Sequence, residues 1–384
     1  MSNDPTDPAP SGDERPPRAG WINAENARPG SAGWRPGGGG TIACDDRNPR
    51  IQGYASATSV NLGESIDFHV AAGQDITVGV YRIGWYGGTG SRLVCTSPTV
   101  TAPPPTPPQV EPETGLVRCD WPAVWRLTVP RTWVSGLYVA VFTSADGHQA
   151  VTPFVVRDDA RPARLLVVLP FIGYQAENSW PGPGPDGQGP AVGDPLDPDA
   201  PGQPDRRRTQ LVSFDRPYRG YGLPAAADDD LDVIAWLERG GYDAVYCSDV
   251  DLHAGRVDPA RYDGVIVSGR GEYWTAPLRA AVERATATGT SLAVLSATSA
   301  AQTVRFAENA EGRPDRVLVC QPATEAAGPE NGPTGAALDR QGPDQAASTW
   351  LGNAPAGVVA EPAPLVVAAA DHWFWAGSGA VDGD

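Results

Sequence analysis

The sequence predicts a β-sandwich over about residues 41–157, followed by an α/β domain built on a parallel sheet over about residues 163–384. Three observations predict it. Apolar and polar residues alternate in Ile66, Phe68 and Val70, then in Ile76, Val78 and Val80, and further runs follow at Val124–Val129, Leu137–Phe142 and Phe154–Val156. Short runs divided by turn residues are the pattern of a sandwich. From Leu165 the apolar runs become continuous, as strands buried on both faces require. Residues 262–303 then read as strand, helix, strand, and a βαβ unit makes its two strands parallel.

Residues 1–40 are rich in Pro, Gly, Asp and Arg without apolar periodicity, which predicts a disordered segment. Gly37–Gly40 precedes no strand-helix pattern, so it reads as a linker and not as a phosphate loop. The proline-laden stretch Thr99–Gly115 cannot be a central strand. Arg157–Arg164 is a charged linker. Leu165–Leu169 opens the second layer, and Phe171–Trp180 is a loop at its carboxyl end. Pro181–Arg207 has no periodicity. A helix around Val233 and Leu237 ends at Gly240-Gly241, and Tyr242–Tyr246 is the next strand. Val265–Val267 is a buried strand. Thr275 is a good helix N-cap, Pro277 sits in the first turn, and Gly289 stops the helix. Leu292–Leu295 is a second buried strand. Val317–Val319, Leu365–Ala369 and His372–Trp375 are strand-like.

A formal charge of −17 argues against nucleic acid and anionic membranes as partners. Every basic position is Arg, so no Lys nucleophile or phosphate-loop Lys exists. No apolar run reaches the length of a membrane span. The five scattered cysteines lack CxxC spacing and read as mostly free thiols, although Cys95 and Cys119 flank the proline-rich stretch. The N-terminus carries no charged-then-apolar signal, which predicts a cytoplasmic protein.

Ligands of parallel sheets sit beyond the carboxyl ends of the strands. Two segments leave at that edge: Gly269-Arg-Gly-Glu-Tyr-Trp274 and Ser296-Ala-Thr-Ser299. Glu272 there is either a site residue or an acid favoured near a helix N-terminus. Ser296 stands at a strand end without a neighbouring base or a G-x-S-x-G frame, which argues against nucleophilic catalysis. His253 reads as a capping residue and His372 as a packed one. Asp228-Asp-Asp230 reads as a solvated helix N-terminus. Trp85-Tyr86 and Trp133…Tyr138 sit beside glycines; packing at sandwich corners is favoured over ligand stacking.

Six motifs occur in order: Tyr81-Arg-Ile-Gly-Trp-Tyr-Gly-Gly-Thr-Gly90, Ser135-Gly-Leu-Tyr138, Val212-Ser-Phe-Asp-Arg-Pro-Tyr218, Trp236-Leu-Glu-Arg-Gly-Gly-Tyr-Asp243, Asp249-Val-Asp-Leu-His253 and Gly271-Glu-Tyr-Trp274. Together they resemble the large (β) subunit family of N,N-dimethylformamidase, from about residue 50 to the end. The resemblance implies an immunoglobulin-like sandwich and an α/β domain like a class I glutamine amidotransferase, here cut short at the C-terminus. It implies hydrolysis of a small amide C–N bond by a metal-bound water, at one iron held by two tyrosines and a glutamate. Carried over by position, the metal ligands are Glu177, Tyr218 and Glu272, with Glu177 replacing a family tyrosine. Hard oxygen donors suit iron or manganese. The implied partners are a small amide and a small subunit or second copy of the chain.

Three positions depart from the family. Arg270 replaces a His two residues before the glutamate, Thr298 replaces an Asn, and Gln302 replaces an aromatic residue. Glu272, Arg270 and Thr298 are the candidate catalytic set. A guanidinium is no base at neutral pH but binds carboxylates, so Arg270 is expected within salt-bridge reach of Glu272 or Glu177. The alternative is a non-catalytic member with a degenerate site, acting as a binding module.

Overall fold

The computed structural model describes residues 20–46, 49–182, 211–296, 299–300, 302–320 and, towards the end, 366–367, 369–372, 375 and 379–383. The alternating apolar residues form two sheets packed face to face. Helix α1 (Trp21–Asn26) precedes β1 (Gln52–Ala55), β2 (Ser65–Ala71), β3 (Asp75–Ile83), β4 (Ser91–Thr96), β5 (Ala123–Thr128), β6 (Gly136–Ser144) and β7 (His148–Arg157). One sheet runs β7-β6-β3-β4, and the short strands Ile42–Ala43 and Ser59–Asn61 lie parallel to β7. The other runs β5-β2-β1. Every second residue of β2 and β3 is buried, which puts Ile66, Phe68, Val78 and Val80 between the sheets. Phe68 meets Phe142 and Phe154 edge-on at 6.0 and 5.6 Å, the offset geometry that aromatic quadrupoles favour.

The second unit runs β8 (Leu165–Leu169), α2 (Phe171–Ala176), β9 (Leu211–Ser213), α3 (Ala227–Arg239), β10 (Ala244–Ser248) and α4 (Asp249–His253). It continues with β11 (Gly264–Ser268), β12 (Tyr273–Thr275), α5 (Ala276–Ala287), β13 (Ser291–Leu295), β14 (Gln302–Ala307) and β15 (Val317–Val319). The order β10-β8-β11-β13 is parallel throughout. A second sheet runs β9-β15-β14-β12. The expected β11–α5–β13 unit is present. The Thr275 hydroxyl accepts from the Leu278 N–H at 3.3 Å, Pro277 opens α5, and Leu278, Val282 and Ala285 face inward.

The two units share a core. Val139, Val141, Val151 and Val155 turn away from the sandwich interior and pack with Leu166, Val245 and Tyr246. This second buried face explains why β6 and β7 are buried almost throughout. β7 lies against β10, and the Tyr246 N–H donates to the Ser135 hydroxyl at 2.9 Å. The sandwich thus covers an edge strand that would otherwise present unpaired backbone. Arg82 and Glu238 cross the same boundary as a bidentate pair at 2.6 and 2.9 Å, both fully enclosed.

Several expectations change. Residues 20–40, expected within a disordered segment, carry α1, with Trp21, Ile22 and Trp34 buried and the Trp21 indole N–H donating to Asp243 at 2.8 Å. Residues 1–19 lie outside the described residues. Phe171–Ala176, expected as a loop, is a short helix. Leu292–Leu295, expected as a buried strand, is half-exposed because β13 is the last strand of the parallel sheet. Asp230 is fully buried, unlike the solvated residue its acidic run suggests. His372 is exposed and lies in a turn, and the described residues near it form no strand. All five cysteines are free. No described helix is long and apolar enough to cross a membrane.

Candidate active site at the switch point of the parallel sheet

The order β10-β8-β11-β13 is 2-1-3-4 in chain order, so the chain reverses direction between β8 and β11. The crevice beyond the carboxyl ends of such a pair is where open α/β sheets take ligands. β8 leads through Pro170 and α2 to Glu177. β11 leads to Gly269, Arg270, Gly271 and Glu272. Glu177 and Arg270, 93 residues apart in sequence, therefore face one another across the switch point.

Close backbone approach makes this possible. A Cβ on Gly173 would sit 2.1 Å from the Arg270 carbonyl oxygen, so only glycine lets α2 pass there. Gly269 has φ +63°, and a Cβ on it would lie 2.3 Å from an Asp230 carboxylate oxygen. The Asp249 carboxylate accepts the Ile172 N–H at 3.1 Å and fixes the start of α2.

The Glu177 and Tyr218 segments are locked together by two side chains that the sequence did not single out. The Asn178 amide donates to the Pro217 carbonyl at 2.8 Å, and its oxygen accepts the N–H groups of Trp180 and Arg219 at 3.1 Å. Arg216 is buried, and among the described residues its hydrogen-bond partners include no carboxylate. It donates to the carbonyls of Trp180, Asn178 and Gln175 at 3.0, 2.9 and 3.4 Å. Burial pulls its guanidinium down to about 10. The signal was their place inside the Glu177 and Tyr218 motifs; nothing local showed that they bind each other's loops.

Glu177 and Tyr218 line one cavity of about 360 Å³ with Tyr174, Asn178, Tyr221 and Leu223. Burial, reinforced by the Asp249 charge, pushes the Tyr218 phenol well above its ordinary value, so it is a neutral O–H. Tyr174 is likewise neutral and donates to Asp230. Burial raises the Asp230 carboxyl to about 6 against the lowering pull of the Ser268 hydroxyl and of the Tyr174 O–H that bonds to it.

Arg270 joins the acids. One guanidinium nitrogen lies 3.4 Å from a Glu177 oxygen and 3.6 Å from a Glu272 oxygen. The Glu272 side chain is 10% exposed, that of Glu177 31% and that of Arg270 45%. The structure thus brings Glu177, Arg270 and Glu272 together, with Tyr218 on the wall that Glu177 shares. Gln302 anchors the same turn through its backbone, whose N–H donates to the Glu272 carbonyl at 2.8 Å. Thr298 lies outside the described residues. Ser296 accepts the Gly271 N–H at 3.4 Å. His253 is a bridging residue, 2.8 Å from the Thr275 hydroxyl and 3.5 Å from Asp315.

Comparison with known proteins agrees with the family resemblance. The family described as N,N-dimethylformamidase beta subunit-like, C-terminal, matches residues 77–384, most of the chain. The chain belongs to this family. At the coarse level that is a family of amide-hydrolase type. No protein of curated function matches. Solved structures show only partial likeness. A cycloisomaltooligosaccharide glucanotransferase of a Paenibacillus species is 16% identical over 30% of this chain and 15% of its own, with a TM-score of 0.18. A mutant β-glucosidase of Listeria innocua is 16% identical over 28% and 16%, with a TM-score of 0.17. The sporulation control protein Spo0M of Bacillus subtilis is 12% identical over 31% and 51%, with a TM-score of 0.19. The chain spans about half the length of Spo0M and about a sixth of the other two. Likeness at this level assigns neither fold nor activity.

The iron expected at Glu177, Tyr218 and Glu272 does not fit the donor set as it stands. A guanidinium already reaches both carboxylates.

Proposed function

We propose that the chain hydrolyses the C–N bond of a small amide in the cavity at the switch point. The observation that carries this reading is that Glu177 meets Arg270 and also lines the cavity that holds the neutral Tyr218. The amide carbonyl oxygen would accept hydrogen bonds from the Tyr218 O–H and the Arg270 guanidinium. Both donors are fixed before the reaction and oppose the negative charge that develops on that oxygen. Glu177, the more exposed carboxylate, takes a proton from a water as its oxygen attacks the carbonyl carbon. The C–N bond then breaks. The amine leaves with the proton returned by Glu177, and the acyl carbon leaves as a carboxylic acid. Glu272, mostly buried, positions Arg270.

The finer fold assignment belongs to the same proposal. The face-to-face sheets support an immunoglobulin-like sandwich, and the 2-1-3-4 parallel order supports a class I glutamine amidotransferase-like domain. A second reading, a binding module without turnover, is favoured by the way Arg270 already neutralises both carboxylates.

The test is amine release from a panel of formamides and acetamides, N,N-dimethylformamide included. Turnover is expected, falling about 100-fold or more in Glu177→Gln. Folded wild-type protein that releases no amine from any member, yet binds one of them, sinks the hydrolase and supports the binding module.

A further inference from the structure

We infer that one monatomic anion of the size of chloride is held between the sandwich and the α/β domain by Arg216 and Arg316. Five arginines are buried among the described residues. Four have a carboxylate within reach: Arg82 has Glu238 at 2.6 Å, Arg157 has Asp251 at 2.9 Å, Arg161 has Asp158 at 3.2 Å and Arg316 has Asp215 at 2.7 Å. Arg216 is the exception. Its bonds go to three backbone carbonyls, and its Nε–H meets no acceptor among the described residues. The ionisable groups that act on it are the Cys119 thiol and the Tyr218 phenol. Burial pushes both far above neutral pH, so neither supplies a negative charge. A buried charge without a counter-charge is costly, and carbonyl dipoles offset only part of that cost.

A place for the counter-charge adjoins it. Arg216 lines a cavity of about 20 Å³ with Ala55 and Thr152 of the sandwich and Gln175, Tyr218 and Arg316 of the α/β domain. That volume takes one water-sized species and excludes a carboxylate, phosphate or sulfate. Among the described residues that line it, none is an acid. Arg316 uses Nε and Nη2 for Asp215 and for the carbonyls of Ala55 and Phe214, which leaves Nη1 as its unengaged donor among the described residues. The Asp215 carboxylate is taken by Arg316 and by the Asn309 amide at 2.8 Å. Two guanidinium groups are thus set against one carboxylate. Asp249 does not make up the difference: it acts on Tyr218 and not on Arg216, and burial opposes its ionisation. A water in the cavity would meet the donors and leave the charge; a monatomic anion meets both. Thr152 adds a hydroxyl donor on the sandwich side. Tyr218 lines this cavity and the larger one at the switch point, so the ion would sit against a residue of the proposed site.

The experiment compares the full-length chain in sodium chloride and in sodium gluconate of the same ionic strength, so that screening is equal. Tm is read over a chloride titration, and crystals soaked in sodium bromide are searched for anomalous scattering. Chloride should raise Tm until the site saturates, as a ligand bound only by the folded state does, and gluconate should not. One bromide should lie against Arg216 and Thr152. Thr152→Val keeps the shape of the cavity wall and removes a donor to a charged partner, so it should weaken chloride affinity about tenfold or more. Arg216→Met should abolish the chloride response; should that variant fail to fold, Thr152→Val decides. An equal Tm in both salts overturns the inference. So does a cavity that takes up no bromide, which would hold a water at most. Chloride affinity unchanged in Thr152→Val and in Arg216→Met puts the ion elsewhere and overturns it too. None of these readouts is turnover, so absence of amidase activity would remove the proposed reaction and leave this result intact.

Discussion

Removing the Glu238 carboxylate should loosen the sandwich from the α/β domain by about 4 kcal/mol. Arg82 and Glu238 are both enclosed, and the guanidinium makes two charge-assisted bonds of 2.6 and 2.9 Å to the carboxylate. Each such bond contributes about 1.5–3 kcal/mol. After Glu238→Ala, Arg82 keeps, among the described residues, the Ser135 carbonyl at 3.0 Å, the Tyr86 hydroxyl at 3.1 Å and the Ile83 carbonyl at 3.3 Å. A buried cation is then left short of its counter-charge, and breaking one side of such a pair costs about 3–5 kcal/mol. The two estimates agree. Glu238→Gln, which keeps one acceptor, should lose about half as much. The double variant Arg82→Met with Glu238→Leu should recover most of the loss, because both charges of the pair are removed together. Urea denaturation followed by tryptophan fluorescence measures all three. A loss below ~1 kcal/mol in Glu238→Ala would put the pair in the range of exposed salt bridges and refute the reasoning. So would a double variant as unstable as the worse single one.

Asp230 gives a pH test. Its carboxyl titrates near 6 in the folded chain against 3.8 as the ordinary value. The unfolded chain loses this proton first, so stability present below about pH 4 drains away as the pH rises through 6. Two pKa units amount to about 3 kcal/mol. Asp230→Asn should melt like wild type at pH 4 and well above it at pH 7; parallel melting curves across that window would contradict the assignment. Asn178 gives a positional test. Asn178→Ala frees the Pro217 carbonyl and two N–H groups, so hydrogen exchange should quicken in residues 175–182 and 214–220 and turnover should fall about 10- to 100-fold through misplacement of Glu177 and Tyr218. Unchanged exchange in those segments would show that Arg216 alone holds them.

What was legible in the sequence depended on how far apart the interacting residues stand. The alternation of Ile66, Phe68 and Val70 fixed which face of β2 is buried, because side chains of a strand repeat every two residues. Thr275, Pro277 and Gly289 marked the ends of α5 because capping acts within one turn. Composition misled where it was averaged. The Pro- and Gly-rich first 40 residues hide a six-residue helix whose only signals are Trp21, Ile22 and, beyond it, Trp34. An acidic run at a helix start reads as solvated, and nothing near Asp230 in sequence shows that Tyr174 and Gly269 close over it.

The site divides along the same line. That Arg270 stands where the family carries a histidine was legible, since it is one residue in a motif. That the guanidinium reaches two acids was legible as an expectation for Glu272, two residues away, and far less so for Glu177, 93 residues away. The link to Glu177 exists only because β11 pairs with β8 and not with β10, the strand that precedes it in the chain. Were β11 added outside β10, the turn after it would open onto another edge of the sheet and Arg270 would meet solvent. The chemistry of the site is thus set jointly: the motif supplies a cation, and the strand order decides which acids it serves.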